Sequence, residues 1–295
     1  MKKNCLIILN YNDFETTNKL IKSVLNYKIL DKIIVVDNCS TDDSIKRLGE
    51  IEDLKVEIIL AKENKGYATG NNIGIKYAIE NFDASNIIVA NPDIYIDELT
   101  LGELILKLNE NDDLGIVTAT MKELKNGEYL ESEMRGWKKP SYKYCLMNSM
   151  PILSKFANNL IKYDKSRYEN DYLDVFAVQG SFFIVKAEAI KKVGYMEEGT
   201  FLYFEESILG HKLEKTKYKI RIYNNLFYLH DHSVSIDKNI KKKVNKFKIL
   251  NDSQEVYIRK YLEVGKVKIA FYKIFSDVGI FIRKVLYTSV LFTKK

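Results

Sequence analysis

Short apolar segments alternate with amphipathic segments along residues 4–119, and this alternation constrains the fold more than any other feature of the chain. The apolar segments predict β-strands, and apolar residues at helical spacing between them predict helices. The predicted strands are residues 4–10, 32–37, 55–60, 86–90 and 114–119, and the predicted helices are residues 14–27, 41–51, about 69–81 and 98–110. Such an alternation predicts an α/β fold with a mainly parallel sheet and helices on both faces.

Beyond residue 119 the pattern and composition of the sequence change twice. Residues 120–178 lose the regular pattern and are rich in Tyr, Lys, Asn and Ser, so we interpret them as an irregular, partly helical insertion beside the site. Residues 238–295 contain 15 Lys and Arg against four Asp and Glu, whereas residues 1–237 contain 31 against 36. We therefore predict one domain over residues 1–237 and a basic, amphipathic helical tail over residues 238–295.

Composition excludes several classes of protein. The chain has 295 residues, of which 46% are hydrophobic, so it can bury a substantial core. Its three scattered cysteines predict neither a disulfide framework nor a CxxC metal site, and we expect a cytoplasmic protein. The apolar stretch at the N-terminus ends at Asn10 with no cleavage site after it, so we interpret it as the first strand. We expect no nucleic-acid partner.

A carboxylate, Asp37, ends the second predicted strand and is followed by a polar turn. In a doubly wound sheet this position holds a base or a ribose, because a fixed carboxylate accepts hydrogen bonds from an imide N–H or a sugar hydroxyl. The alternative is that Asp37, Ser40 and Asp42 cap the next helix, whose expected cap is Ser40 or Thr41. Taken alone, the residues favour capping.

The turn over residues 64–74 is rich in glycine and asparagine and precedes the third predicted helix. A backbone of this kind can approach a diphosphate closely. Structural turn glycines would also explain Gly66 and Gly70, although not the asparagines around them. The turn lacks the GxGxxG spacing of dinucleotide folds and the GxxxxGK[ST] spacing of a P-loop, so both classes are disfavoured.

The segment Asn91-Pro92-Asp93 places an amide and a carboxylate directly after a buried strand. Mg²⁺ and Mn²⁺ take oxygen ligands and keep waters and substrate phosphates in their remaining positions, so Asn91 and Asp93 are candidate metal ligands. The alternative is a turn that closes the strand, which is a common use of these residues.

An acidic pair, Glu205-Glu206, follows a run of aromatic residues and begins a segment with apolar residues at helical spacing. A carboxyl group beside aromatic rings has its pKa raised by desolvation and can serve as a general base. Acids in the first turn of a helix are also favourable for electrostatic reasons alone. His230 and His232 are two of only three histidines, so they are candidates for a metal ligand or a phosphate contact.

The order of these motifs resembles the family 2 glycosyltransferases of the GT-A fold, over residues 4–236. The segments that carry the resemblance are Leu9-Asn10-Tyr11-Asn12, residues 35–42, residues 64–74, Asn91-Pro92-Asp93, Gln179-Gly180-Ser181-Phe182-Phe183, residues 201–206 and residues 230–235. Within the family the chain looks most like the bacterial rhamnosyltransferase-like members that build surface polysaccharides.

The resemblance implies a role for each matching residue. Asp37 would bind the nucleotide base with Tyr11 beside it, Asp93 would be the metal-binding acid of the family's DxD motif, and Glu206 would be the catalytic base, with Glu205 as its alternative. The implied donor-binding residues are Leu9, Tyr11, Asp37, Asn64, Gly66, Asn72, Asn91, Asp93 and Gly180. The implied metal ligands are Asp93, Asn91 and His230. Many relatives have Asp at the position of Asn91, and many also have Asp at the position of Glu206.

The implied activity is inverting transfer of a sugar from a UDP- or dTDP-sugar, with Mg²⁺ or Mn²⁺, to a hydroxyl of a glycan or lipid-linked acceptor. Two alternatives remain open at this point. One is a nucleotidyltransferase, although the chain lacks a basic glycine-rich signature near its N-terminus. The other is a catalytically silent protein that binds nucleotide sugars or acts as a scaffold.

The tail over residues 238–295 is too interrupted by charge for a transmembrane helix, because Lys273, Asp277, Arg283 and Lys284 divide its apolar residues. Aromatic and basic side chains at helical spacing suit the anionic inner face of the cell membrane. The alternative is that these helices pack on the domain or on another subunit of a homo-oligomer.

Overall fold

The computed structural model describes residues 2–125, 127–231 and 243–292. The strands are β1 (Lys3–Asn10), β2 (Lys32–Asp37), β3 (Val56–Leu60), β4 (Ala84–Ala90), β5 (Ile94–Tyr95), β6 (Leu114–Lys125), β7 (Glu128–Glu131), β8 (Gly136–Trp137), β9 (Tyr172–Val175), β10 (Ala177–Val178), β11 (Phe182–Lys186) and β12 (Lys219–His230). The α-helices are α1 (Phe14–Val24), α2 (Ser44–Leu48), α3 (Tyr67–Phe82), α4 (Glu98–Glu110), α5 (Tyr142–Ser149), α6 (Ser154–Ala157), α7 (Ala187–Lys192), α8 (Glu205–Glu214), α9 (Lys243–Lys260) and α10 (Lys266–Phe292). Short 3-10 helices lie at Asn158–Leu160 and Lys165–Glu169.

The large sheet has the strand order β3-β2-β1-β4-β11-β6-β12-β5, with β7 beside β6 and β9 beside β12. The first four strands are parallel, as the alternation predicts, and β6 is parallel to β12. In the middle of the sheet β11 runs antiparallel to both β4 and β6. The α/β prediction is confirmed, and the sheet is more mixed than expected because an apolar run indicates a strand but not its direction.

Most of the predicted strands and helices in residues 4–119 have nearly the bounds that the structure shows. The bounds of β2 and α4 are as predicted, and those of β1, β3, β4 and α3 differ by at most two residues. Helix α1 ends three residues early, in a turn where the Tyr27 N–H donates to the Val24 carbonyl at 3.0 Å. Strand β6 continues to Lys125 because its outer part pairs with β7 and β12, so residues 120–125 are not irregular.

The expected cap of α2 is wrong. The helix begins at Ser44 after Asp43, and neither Ser40 nor Thr41 caps it. The Ser40 hydroxyl donates to Asp37 Oδ2 at 2.7 Å, and the Thr41 N–H donates to Asn12 Oδ1 at 2.7 Å. The Asn12 N–H also donates to the Ser40 hydroxyl at 2.9 Å, so Asn12 joins the turn after β1 to the turn after β2. This arrangement leaves α2 shorter than residues 41–51.

The buried side chains of the sheet alternate between its two faces. Helices α1 and α4 cover one face through residues such as Leu20 and Leu104, and α3, α7 and α8 cover the other through Ile75, Ile190 and Leu209. Helices on both faces leave the carboxyl ends of β1, β2 and β4 as the open edge at which an α/β sheet binds ligands.

The two C-terminal helices pack on the rest of the chain through a third apolar cluster that includes Trp137, Tyr144, Tyr257 and Tyr272. The Tyr257 hydroxyl donates to the Pro140 carbonyl at 3.2 Å. Helices α9 and α10 therefore pack on the domain, as one of the alternatives for the tail proposed. The expected domain boundary at residue 238 lies outside the described residues. No helix within the described ranges has the length and apolar character to cross a bilayer.

Candidate active site

A cavity of about 550 Å³ opens at this edge of the sheet. Its walls come from the ends of β1, β4 and β12, the turns before α3, β11 and α8, and helix α9. The residues that line it are Leu9, Tyr11, Asp13, Asn38, Asn64, Gly66, Tyr67, Asn91, Pro92, Asp93, Met121, Gln179, Gly180, Ser181, Phe201, Leu202, Tyr203, Glu205, Glu206, His230 and Lys246. The sheet thus brings together side chains that are more than 200 residues apart in sequence.

One wall is built where the turn before α3 meets the turn before α8. Gly66 has φ 101° and ψ −175°, a backbone conformation that is essentially restricted to glycine. A Cβ atom at this position would lie 2.1 Å from the Phe201 carbonyl oxygen. The Tyr67 N–H donates to that same oxygen at 2.8 Å, and the Tyr67 hydroxyl donates to the Gly180 carbonyl at 2.6 Å. Gly66 therefore permits a close contact between two segments that line the cavity.

The acidic pair lies in the first turn of α8, as the apolar spacing predicts. Two residues with left-handed backbones, Tyr203 and Phe204, with φ 73° and 70°, turn the chain into this helix. The Gly180 N–H donates to Glu206 Oε1 at 3.1 Å. Glu206 is partly exposed to the cavity, whereas Glu205 is 1% exposed and its Oε1 has no hydrogen-bond partner within the part of the chain that the structure describes.

Burial controls the protonation of this pair. Desolvation raises the pKa of Glu206, while the Gly180 N–H acts in the opposite direction. Desolvation raises the pKa of Glu205 well above its usual range, and the neighbouring Glu206 charge adds to that increase. Burial and the two glutamates also raise the pKa of Tyr67. Since two adjacent, desolvated carboxyl groups resist double ionisation, the pair holds a proton more tightly than isolated glutamates do.

Asp93 lines the same cavity and lies beside His230. Their Oδ1 and Nε2 atoms are 3.2 Å apart, and antiparallel pairing of β12 with β5 brings His230 next to the Asn91-Pro92-Asp93 turn. His232 lies outside the described residues. Among the described residues no group of three or more His, Cys, Asp or Glu side chains could hold a metal ion.

The donor set at Asp93 nevertheless fits a hard divalent cation. Such ions are bound in proteins through one or two carboxylates, with waters and substrate phosphates in the other positions. Asp93 Oδ1 and His230 Nε2 are at hydrogen-bond distance, so a cation would replace this hydrogen bond, and Asn91 lines the same cavity.

Two of the expected donor-binding residues do not line the cavity. Asp37 is fully buried and accepts hydrogen bonds from Asn10 Nδ2 at 2.7 Å and from the Ser40 N–H at 2.8 Å. The Asn72 side chain donates to the Met196 carbonyl at 3.0 Å and accepts the Met196 N–H at 3.1 Å. Their carboxylate and amide groups hold neighbouring backbone segments in place.

The other expected residues all line the cavity: Leu9, Tyr11, Asn64, Gly66, Asn91, Asp93, Gly180, Glu205, Glu206 and His230. Asn38, Tyr67, Gln179 and Lys246 also line the cavity and were not among the expected site residues. Asn38, Tyr67 and Gln179 belong to motifs that carried the resemblance, so they could have been chosen. Lys246 lies among many lysines of the tail, and nothing in the sequence separates it from them.

Comparison with known proteins identifies the family to which this chain belongs. The model of "Glycosyl transferase family 2" matches residues 5–194, more than half of the chain. The chain belongs to this family, which confirms the resemblance.

Two curated proteins are similar to the chain. The "Low-salt glycan biosynthesis hexosyltransferase Agl10" of Haloferax volcanii is 23% identical over 201 residues, which are 68% of this chain and 58% of that protein. The "Poly-beta-1,6-N-acetyl-D-glucosamine synthase" of Staphylococcus epidermidis is 22% identical over 213 residues, or 72% of this chain and 45% of that protein. The chain spans about half the length of these relatives.

Solved structures share the fold. GalNAc-T7 with UDP, GalNAc and Mn²⁺ superposes with a TM-score of 0.62 at 14% identity, covering 79% of this chain and 44% of the other. S. aureus TarS 1-349 in complex with UDP-GlcNAc superposes with a TM-score of 0.57 at 14% identity, covering 90% of this chain and 69% of the other. These similarities confirm the GT-A fold that the resemblance implied.

Proposed function

We propose that the protein is an inverting glycosyltransferase that moves a sugar from a nucleoside diphosphate sugar to an acceptor hydroxyl, with Glu206 as the general base. One observation carries the proposal: Glu206, whose pKa burial raises, lies at the wall of a cavity that Asp93 and His230 also line. A general base is most effective when its pKa approaches the working pH. Glu206 is preferred to Glu205 because Glu206 is partly exposed, whereas Glu205 is 1% exposed.

In the reaction, Glu206 accepts the proton of the acceptor hydroxyl as its oxygen attacks the anomeric carbon. A new bond forms between this carbon and the acceptor oxygen, and the bond from the carbon to the diphosphate oxygen breaks. The diphosphate leaves with the bonding electrons from the face opposite the attack, so the configuration at the anomeric carbon inverts. The Gly180 N–H holds the Glu206 carboxylate in position for this step.

Asp93, His230 and Asn91 would hold a Mg²⁺ or Mn²⁺ ion. When bound, the ion supplies positive charge that stabilises the departing diphosphate. The GalNAc-T7 structure with UDP and Mn²⁺ supports divalent metal use in this fold. Asp93 and His230 lie side by side at the cavity, and Asn91 lines it as well, which supports these residues as the ligands.

The donor would be a UDP- or dTDP-sugar, and the acceptor a glycan or lipid-linked saccharide in the synthesis of a bacterial surface polysaccharide. The TarS complex with UDP-GlcNAc supports a uridine nucleotide. The glycan-synthesising relatives support a saccharide acceptor. The acceptor would enter from the side of residues 120–178, which also contribute Met121 to the cavity.

The C-terminal helix α10 would attach the protein to the inner face of the cell membrane. Six exposed apolar side chains form a stripe along it, spaced alternately by four and three residues: Val267, Phe271, Ile274, Val278, Phe281 and Val285. Exposed lysines outnumber acids along the same helix, with Lys266, Lys268, Lys273 and Lys284 against Asp277. An apolar stripe with basic flanks is complementary to an anionic lipid surface.

Flotation of the full chain with anionic vesicles tests this attachment. The double variant Phe271→Ser/Phe281→Ser should lose flotation, whereas Leu99→Ser, at another exposed apolar position, should not. Equal flotation of all three proteins would contradict the attachment. If the wild type does not float and the double variant changes from dimer to monomer, the stripe instead contacts a second copy of the chain.

Isotope release from a panel of UDP, GDP and dTDP sugars with Mn²⁺ tests the function itself. Transfer to an acceptor, or slow hydrolysis of one donor, supports a glycosyltransferase. Exchange of the nucleotide with pyrophosphate would instead show a nucleotidyltransferase. Donor binding without turnover would show a catalytically silent protein.

A further inference from the structure

We propose that Lys246 binds the diphosphate of the donor, so that the C-terminal helix α9 completes the donor site. This inference rests on the proposed function. Lys246 lines the same cavity as Asp93 and Glu206, although α9 begins more than 30 residues after the matched family segment ends. The helix is thus part of the site rather than an appendage to it.

The charges around the cavity favour this role. Asp13, Asp93 and the Glu205–Glu206 pair, which resists losing both of its protons, all line it, and Lys246 is the one lysine or arginine among its described lining residues. A nucleoside diphosphate brings further negative charge into this acidic surrounding. A cation at the wall offsets that repulsion and donates charge-assisted hydrogen bonds to phosphate oxygens.

Contacts beyond Lys246 fix α9 relative to the cavity. The Ser253 hydroxyl donates to the carbonyl of Leu202, which itself lines the cavity, at 2.9 Å. Lys260 Nζ lies 2.8 Å from Glu197 Oε1, and Tyr257 is fully buried against the body. The helix therefore carries Lys246 on a packed support, and a support of this kind keeps a binding group in place.

A neighbouring residue shows what an ordinary surface lysine looks like on this helix. Lys248 has a side chain that is 65% exposed, pairs with Asp252 at 3.4 Å, and does not line the cavity. It has the same charge and lies on the same helix, two residues away. Lys248 is therefore the matched control for Lys246.

Calorimetric titration of the full chain with UDP, dTDP, uridine and thymidine in the presence of Mn²⁺ tests the inference. Lys246→Met keeps the apolar stem of the side chain and removes its charge. We expect this variant to bind the preferred diphosphate about ten- to a hundredfold more weakly, as follows from the loss of a hydrogen bond to a charged group. Binding of the matching nucleoside should not change, Lys246→Arg should retain most of the affinity, and Lys248→Met should resemble the wild type.

The outcomes separate the inference from the function on which it rests. Wild-type affinity for the diphosphate in Lys246→Met would overturn the inference. So would an equal loss of diphosphate and nucleoside binding, because that result indicates a structural role. If the wild-type chain binds none of the four ligands, the proposed function fails as well.

Discussion

Gly180 packs directly against the side chain of Glu206, and this contact allows the position of the base to be tested without removing it. A Cβ atom at residue 180 would lie 2.3 Å from Glu206 Oε1, whereas ordinary contacts are 3.4–4 Å. In Gly180→Ala the carboxylate must therefore move by about 1 Å, since steric contact forbids anything closer. Oε1 is the far end of a flexible side chain, so the movement costs little stability.

The expected effect is large on catalysis and small on folding. A misplacement of about 1 Å costs about 10²-fold in rate, which corresponds to about 2.7 kcal/mol of activation free energy. The free energy of unfolding should change by at most about 1 kcal/mol, because replacing glycine with alanine mainly restricts the unfolded chain. Donor affinity should fall by less than the rate of transfer, because the displaced group is the base.

Initial rates of sugar transfer, donor titration and urea unfolding measure these three quantities. Gly102→Ala is the matched control, because nothing lies within 4 Å of its Cβ position. This control should keep the wild-type rate. A Gly180→Ala enzyme with a rate within twofold of the wild type would refute the assignment of Glu206 as a base held by the Gly180 N–H.

The remaining predictions concern pH, backbone strain and metal. The rate of transfer should fall as the pH decreases, with a midpoint above the ordinary glutamate pKa of 4.5, because the base must be ionised and burial raises its pKa; a midpoint at or below 4.5 would contradict this. The folded state binds protons at Glu205 more tightly than the unfolded chain does, so the free energy of unfolding should decrease as the pH rises above 4.5, and Glu205→Gln should reduce that decrease in urea titrations. Gly66→Ala should lower the free energy of unfolding by about 2 kcal/mol or more, because of backbone strain and the clash with Phe201, and a change below about 0.5 kcal/mol would contradict the geometry. Chelation of divalent metal should abolish transfer by the wild type, and unchanged turnover would remove the role proposed for Asp93.

The sequence predicts local structure well where one segment determines it. Strand β2 ends at Asp37 as expected, and the Asp97 side chain accepts the Thr100 N–H at 2.9 Å, which explains why the start of α4 agrees to the residue. The direction of β11 depends on its partners β4 and β6, which are distant in sequence. No local pattern contains that information.

The same distinction applies to the site. Asp93, Gly66 and Glu206 each follow a local signal, and all three line the cavity. The contact of Gly180 with Glu206 joins segments 26 residues apart, and Lys246 reaches the cavity only through the packing of α9. Asp37 was expected to bind the nucleotide only through the family resemblance, and its carboxylate is hydrogen-bonded to Asn10 and Ser40.

Transfer and donor binding by Glu206→Gln, measured side by side, test the central claim most directly. Glutamine keeps the size of the side chain, and its carbonyl oxygen can still accept the Gly180 N–H, so the cavity should be preserved. We expect the rate of transfer to fall about 10²- to 10⁴-fold, the usual contribution of a general base, with donor affinity unchanged. A Glu206→Gln enzyme that transfers sugar at the wild-type rate would contradict the claim.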